Sequence, residues 1–227
     1  MNASVWTILV AAGRGERLGA ERPKAFADLG GRPLLAESLE RLDACPRIEG
    51  IVIAAPPGWE EPTILLAEEL GCGKASIVVT GGATRSESVR LALAEIPAEA
   101  DVIIVHDAAR PLLDQAVIER VLEPLGEGWQ GAIPALPLTD TVKRVEAETV
   151  VETPERSSLV AVQTPQAFLA ETLRAAYASA LGEASDCAAF VEAQGARVTW
   201  VEGDSRLHKV TTAEDLALVS GWLAEAR

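Results

Sequence analysis

Positive charge is concentrated in one short stretch of this chain. Arg14, Arg17, Arg22 and Lys24 lie within eleven residues, against Glu16 and Glu21, in a sequence with only four lysines and a formal net charge of -14. The stretch grows out of Ala11-Ala12-Gly13-Arg14-Gly15-Glu16-Arg17-Leu18-Gly19. Glycines there let backbone N–H groups approach a ligand closely, which is the chemistry of a phosphate cradle. The dinucleotide fingerprint is excluded, because Leu18 occupies the third glycine position and Gly19 comes one place late. A Walker A loop is excluded as well, since no Gly-Lys-Ser/Thr follows. Pro23 stiffens the cationic segment between Arg22 and Lys24. The segment predicts a site for a small polyanion.

Further groups suited to such a site recur downstream. Val105-His106-Asp107-Ala108-Ala109-Arg110-Pro111 ends a strand-like run, and ligands of open α/β sheets gather at strand C-termini. Asp107 and Arg110 are therefore candidates, with a plain loop ion pair as the bland alternative. His106 next to Asp107 suggests a dyad, but neighbours on an extended chain point to opposite faces, so His106 reads as structural. Gly81-Gly82-Ala83-Thr84-Arg85-Ser86-Glu87-Ser88 precedes a helix, where glycines and hydroxyls can meet a base or phosphate. Helix capping alone also explains Thr84 and Glu87. Gln163-Thr164-Pro165-Gln166, Ser185-Asp186 and Lys209-Val210-Thr211 are polar insertions beside apolar runs, each read alone as a cap or turn.

The elements that must position these groups alternate as βαβ units of a largely parallel sheet. Strands are predicted at 5–11, 50–55, 76–80, 102–106, 131–136 and 197–202. Apolar residues at i, i+3, i+4 and i+7 mark helices through Ile118, Val121, Leu122 and Leu125, and through Val89, Ala92, Leu93 and Ile96. Asp114 caps the first, and Thr84 with Glu87 has capping-box spacing for the second. Thr212 with Asp215 opens a last helix through Leu216, Val219 and Leu223. Thr141 to Val145 and Thr149 to Val151 form two short β-like runs around Glu146-Ala147-Glu148, a projecting hairpin. An isolated hairpin is marginal in water, so it rests either on a second copy of the chain or on its own body.

Composition narrows the possible functions. A chain of 227 residues that is 48% hydrophobic has enough apolar material for a core, which excludes disorder. No apolar run approaches the roughly 20 residues of a membrane helix. The strongly acidic balance opposes nucleic acid and anionic lipid as partners. The start of the sequence lacks the pattern of a secretion signal, and Cys45, Cys72 and Cys187 are odd in number and widely spaced. A cytoplasmic protein with buried thiols is expected.

In combination, the segments resemble the 2-C-methyl-D-erythritol 4-phosphate cytidylyltransferase family. The resemblance rests on Ala11-Ala12-Gly13-x-Gly15-x-Arg17, Pro23-Lys24, Gly81-Gly82-x-x-Arg85-x-x-Ser88-Val89, His106-Asp107-Ala108-Ala109-Arg110-Pro111, Asp140-Thr141-Val142-Lys143-Arg144, Thr164-Pro165-Gln166 and Lys209-Val210-Thr211, in family order over nearly the whole chain. It implies one Rossmann-like, three-layer α/β nucleotidyltransferase domain over residues 1–227, with an arm at 140–157 that joins a homodimer. It also implies CMP transfer from CTP to a polyol phosphate, with Mg²⁺ as cofactor and its ligands left open.

The same resemblance assigns residues. Arg17 and Lys24 stabilise charge at the triphosphate, Lys209 aligns the attacking phosphate, and Arg156 with Thr141 reaches the polyol phosphate across the dimer. Ala11, Ala12, Gly13, Gly15, Gly82, Ser88 and Ala108 surround the nucleotide, while Asp107, Arg110, Thr164 and Ser185 line the acceptor side. Ala83 stands where many relatives carry an acid, Ser185 where Thr is usual, and Arg206-Leu207-His208 departs from the expected approach to Lys209. Rival readings are a cytidylyltransferase for another polyol phosphate such as ribitol 5-phosphate, a sugar-1-phosphate nucleotidyltransferase, and a nucleotide-binding module without catalysis.

Overall fold

Strand β1 (Val5–Val10) is apolar except for the buried Thr7, because both of its faces are covered. Val5 and Leu9 face one core layer and Ile8 the other, as the two-residue period of a strand requires. A computed structural model describes residues 3–15, 18, 22–180 and 182–225. After β1 come α1 (Leu34–Asp43), β2 (Ile48–Ala55), α2 (Glu60–Glu69), β3 (Ile77–Thr80), α3 (Arg85–Ala94), β4 (Val102–Asp107), α4 (Gln115–Gly126) and β5 (Gly131–Pro137). The second half has β6 (Arg144–Glu146), β7 (Thr149–Glu152), β8 (Val160–Val162), β9 (Gln166–Leu169), α5 (Ala170–Ser179), α6 (Cys187–Ala193), β10 (Val198–Glu202) and α7 (Ala213–Glu225).

The main sheet runs β10-β5-β9-β4-β1-β2-β3, with β8 beside the far end of β5. Residues of α1, α2 and α4 pack on one face, and residues of α3, α5 and α6 on the other. All six predicted strands are present. The sequence reading missed β8 and β9, which pair antiparallel with β5 and β4 inside the otherwise parallel sheet. The predicted caps form, Asp114 accepting from Ala116 N–H and Thr84 from Glu87 N–H, but the Glu87 carboxylate returns to Ala83 N–H and not to Thr84 N–H, so the second is half a capping box. At α7, Thr212 Oγ1 accepts from Asp215 N–H and Asp215 accepts from Thr212 N–H, a reciprocal capping box.

The arm leaves the body at Pro137 and returns at Val160, two residues paired with each other. Its hairpin β6–β7 is a separate two-stranded sheet, exposed along both strands. The first run is shorter than predicted: Thr141 to Lys143 precede the pairing, which starts at Arg144. The arm is not folded onto its own body. Val145 and Val150 are more than half exposed. The three cysteines are buried and free. Among the described residues, no helix is long and apolar enough to cross a membrane.

Candidate active site

From β1 the chain passes outward to β2 and β3, then returns to the other side of β1 as β4. This reversal opens a crevice at the strand C-termini, where α/β sheets bind ligands. Val10 is in register with Asp107, so the glycine loop after β1 and the Ala108-Ala109-Arg110 loop after β4 start side by side. Gly81, directly after β3, donates its N–H to Ala55 O at the end of β2. A Cβ on Gly81 would lie 2.2 Å from Ala12 Cβ, so glycine allows these two loops to touch.

The crevice holds a cavity of about 390 Å³ lined by the glycine loop, Lys24, Gly81 to Arg85, Ser88, Asp107 to Ala109 and Lys209. Its two loops differ in how their backbone donors are used. Among the described residues, the N–H groups of Ala12, Gly13 and Arg14 have no hydrogen-bond partner, so this wall offers donors. In the other loop, Gly82 N–H is held by Ser88 Oγ at 3.1 Å and Ala83 N–H by Glu87 at 2.7 Å. These two N–H groups are therefore engaged within the loop, while Gly81, Gly82, Ala83, Thr84 and Ser88 still line the cavity.

Asp107 is the hub of the site. Its Oδ1 accepts from Arg85 Nε at 3.0 Å and its Oδ2 from Lys209 Nζ at 2.7 Å. Burial alone would raise the Asp107 pKa, but Arg85 and then Lys209 overcome it and hold the carboxyl well below the usual carboxylate range. Asp107 does not pair with the Arg110 side chain, whose guanidinium donates to the Leu207 carbonyl at 2.6 Å, so the loop ion pair is not what forms. The sequence reading gives Arg85 no role beyond its place in a motif. The sign that could have revealed it is electrostatic: a cation in the first turn of α3 opposes the helix dipole and needs an acid nearby. The other side of Arg85 donates to the Cys187 thiol at 3.4 Å, which burial keeps protonated.

His106 is fully buried and shapes the loop from beneath. Its Nε2 faces the Arg110 carbonyl at 3.1 Å, an acceptor only, so Nε2 carries the proton. Nδ1 then accepts from Thr164 Oγ1 at 3.2 Å, and Thr164 Oγ1 accepts from Asp107 N–H at 3.0 Å. Burial pushes the His106 pKa down to about 4, so the ring is neutral at physiological pH. This chain of bonds fixes the backbone of Asp107 and Arg110, the structural role read from the sequence.

A second cavity of about 210 Å³ adjoins the first, lined by Arg85, Asp107, Arg110, Val162 to Thr164, Gln166, Ser185, Asp186 and Lys209. Arg85, Asp107 and Lys209 line both cavities and so form the partition between them. Gln166, on the missed strand β9, donates to Asp186 at 2.8 Å and accepts from Cys187 N–H, which holds the Ser185-Asp186 turn. Gln163 grips the Asp204 backbone with both ends of its amide at 2.8 and 3.0 Å, steadying the approach to Lys209. The cavities together expose Arg14, Lys24, Arg85, Arg110 and Lys209 against Asp107 and Asp186, five cations to two carboxylates in an acidic protein.

Most of the predicted residues converge. Ala11, Ala12, Gly13, Lys24, Gly82, Ser88 and Ala108 line the larger cavity, Arg110, Thr164 and Ser185 the smaller, and Asp107 and Lys209 both. Gly15 is not at the cavity wall. It has φ +72°, and a Cβ there would lie 2.7 Å from Lys24 Cβ, so it packs behind Lys24. Thr141 and Arg156 line neither cavity; the Arg156 guanidinium donates to the Thr139 carbonyl at the base of the arm. Arg17 lies outside the described residues.

The family model for 2-C-methyl-D-erythritol 4-phosphate cytidylyltransferase matches residues 5–225. The chain belongs to this family. It is 44% identical over 223 residues to the cytidylyltransferase of that name from Rhodococcus jostii, covering 97% of this chain and 96% of the relative. With the Streptomyces avermitilis protein of the same name it is 42% identical, over 97% of this chain and 92% of that one. A crystal structure of the Thermus thermophilus cytidylyltransferase is similar with a TM-score of 0.78 and 35% identity, covering 99% of this chain and 100% of the other. The fold expected from the sequence resemblance is thus the fold of solved members of the family.

Proposed function

We propose that this cleft transfers CMP from CTP to the phosphate of 2-C-methyl-D-erythritol 4-phosphate, releasing pyrophosphate, in the non-mevalonate route to isoprenoid precursors. One observation carries the reading in a chain of this family: two adjoining cavities share a partition of Arg85, Asp107 and Lys209. The larger takes the nucleotide and the smaller takes the acceptor, so the two phosphates meet at that partition. A phosphomonoester oxygen attacks the α-phosphorus, the bond to the β-phosphate oxygen breaks, and pyrophosphate carries away the negative charge. The nucleophile is already anionic near neutral pH, so the protein has to align and neutralise rather than remove a proton.

In this reading Lys24 and Arg17 stabilise the charge that develops on the triphosphate, and the N–H groups of Ala12, Gly13 and Arg14 face its phosphates. Lys209, Arg110, Thr164 and Ser185 receive the acceptor. The Gly81–Ala83 loop borders the same cavity and takes the cytosine ring. Asp107 is the one carboxylate bordering the nucleotide cavity among the described residues, and both its oxygens are engaged by cations. Among the described residues no cluster of three or more ligating side chains exists. A Mg²⁺ bound with the triphosphate would find Asp107 as its protein ligand here, in place of one of the two cations that now hold that carboxylate. The ion would supply neutralisation of phosphate charge.

Arg156 and Thr141 lie on the arm, away from their own cavities, so they serve the acceptor cavity of a second copy in a homodimer. The protein works in the cytoplasm. Pyrophosphate release is measured with CTP, Mg²⁺ and a panel of polyol phosphates. Release with 2-C-methyl-D-erythritol 4-phosphate is expected. Release with ribitol 5-phosphate alone, or CTP binding without any release, overturns the assignment.

A further inference from the structure

We infer that His208 is a positioning residue for Lys209, clamping the loop that carries the lysine onto helix α7. The inference rests on the reading of Lys209 as the group that aligns the attacking phosphate. His208 belongs to the Arg206-Leu207-His208 stretch that departs from the expected approach to Lys209, and the structure gives it specific partners. His208 Nε2 is 2.6 Å from Asp215 Oδ1, in the first turn of α7. The other oxygen, Oδ2, accepts from Thr211 N–H at 2.8 Å, Thr211 Oγ1 at 2.5 Å and Thr212 N–H at 2.9 Å. The ring also meets Trp222 of the same helix edge-on, with centroids 6.2 Å apart.

One carboxylate thus ties down the residue before Lys209 and the residues two and three beyond it. Neighbouring residues reinforce the clamp. Leu207 and Val210 are fully buried, Val210 N–H donates to Ala109 O at 2.8 Å, and Arg206 donates to the Trp222 carbonyl at 3.0 Å. Adjacent side chains on an extended loop point in opposite directions. His208 turned toward α7 therefore sends Lys209 the other way, to Asp107 at the partition between the cavities. With the backbone fixed on both sides, the ammonium can move only through its own four-carbon stem. A lysine loses considerable rotamer freedom when held, so a fixed base is where its placement is decided.

The test combines kinetics with labelling of the lysines. His208→Ala should lower kcat roughly tenfold or more, the scale of an ångström-sized misplacement, with KM for CTP unchanged. Trace acetylation followed by peptide mass spectrometry reads the base position without any turnover. Lys209 should react severalfold faster in His208→Ala, while Lys74, held by the Cys45 carbonyl at 2.6 Å, should react as in the wild type. His208→Gln, which keeps a donor at similar reach, should restore both readouts. If His208→Ala does not fold, His208→Leu is read the same way, since it keeps an apolar side chain against Trp222 and removes the donor. Unchanged Lys209 labelling or unchanged kcat overturns the inference, even if the melting temperature falls. Lys209→Ala separates the two layers of argument. Turnover near wild type in that variant rejects the role of Lys209 itself, whereas lost turnover there with normal His208 variants rejects only the clamp.

Discussion

Lys209 Nζ donates to Asp107 Oδ2 at 2.7 Å across the wall that separates the two cavities, while Arg85 holds the opposite oxygen of the same carboxylate. The site therefore contains its own anion between two cations, the three groups coming from distant parts of the chain. Asp107 keeps Arg85 and Lys209 together before any phosphate arrives, and a phosphate entering either cavity meets donors already converged.

The first prediction follows from that pairing. Asp107→Ala leaves Arg85 mostly buried without its carboxylate, a defect worth about 3–5 kcal/mol when one member of a buried ion pair is removed. Lys209 is more exposed and can turn to solvent, so Arg85 carries most of the cost. Urea unfolding should show the loss. CTP should raise the melting temperature of this variant more than that of the wild type, because the triphosphate returns negative charge. Equal ligand-induced shifts would mean that the nucleotide does not reach these cations.

Gly81→Ala is expected to spoil nucleotide binding without touching a charged group. The new Cβ would meet Ala12 Cβ at 2.2 Å and the Ala55 carbonyl oxygen at 2.9 Å, and neither belongs to a flexible side-chain end. The loops after β1 and β3 must part, which deforms both walls of the cavity together. KM for CTP should rise by about tenfold or more, the scale at which an ångström of misplacement is felt. Titration calorimetry with CTP checks this, and wild-type affinity would show that the loops have room to spare.

Much of this arrangement was legible in the sequence, and the exceptions have physical causes. The inner strands β1, β2, β4 and β5 were readable because strands buried on both faces are continuous apolar runs, as in Ile103, Ile104 and Val105, and the edge strands β3 and β10 were readable from their β-branched residues. Strands β8 and β9 were not, since Val160–Val162 is short and Gln166–Leu169 opens on a buried glutamine beside Pro165. Their strand character comes from the space between β4 and β5, which is a tertiary cause. Lys24, Asp107 and Lys209 were named from their motifs, yet their meeting point depends on strand order. Arg85 gained a role only once the end of β4 was placed beside the start of α3. The backbone donors of Gly82 and Ala83 looked available in sequence and are occupied by Ser88 and Glu87 in the fold.

Lys24 is tested together with the glycine behind it. Lys24→Ala should lower kcat by about a hundredfold or more, the effect of removing one well-placed donor from a developing charge. Gly15→Ala should act in the same direction at a distance. Its positive φ disfavours a side chain by about 1–2 kcal/mol, and its Cβ would press on Lys24 Cβ at 2.7 Å. Steady-state kinetics should therefore show reduced kcat in both variants. Full turnover in Lys24→Ala would remove this lysine from the mechanism.

The exposed arm yields a prediction about assembly. Val145 and Val150 are in register across the hairpin and are 60% and 56% exposed, an apolar pair left mostly uncovered by its own chain. If a second copy covers them, replacing both with Glu places charge in the interface and should shift the protein toward monomer in sedimentation. If Arg156 and Thr141 serve a partner's cavity, as proposed, turnover should fall with dissociation and recover in part at high protein concentration. A double variant that sediments and turns over like the wild type would separate the arm from both assembly and catalysis.

His106 makes the site sensitive to acid, in a direction fixed by its burial. Burial lowers its pKa from the ordinary 6.5 to about 4 in the folded protein, so between those values the unfolded chain binds a proton that the native ring refuses. Stability from this group is complete above pH 6.5 and declines as pH falls toward 4. A difference of that size corresponds to about 3 kcal/mol at the lower end. Asp107 adds to the trend in the same direction but at lower pH, because its folded pKa is also depressed and its stabilisation is present above the ordinary carboxylate value. Protonating His106 Nδ1 would leave Thr164 Oγ1 without its acceptor and loosen Asp107 from beneath. Urea midpoints measured from about pH 7 to about pH 4.5 should therefore fall steadily in the wild type. In His106→Asn, less stable at neutral pH, the slope over the same interval should flatten, and an unchanged slope would assign the acid sensitivity to other groups.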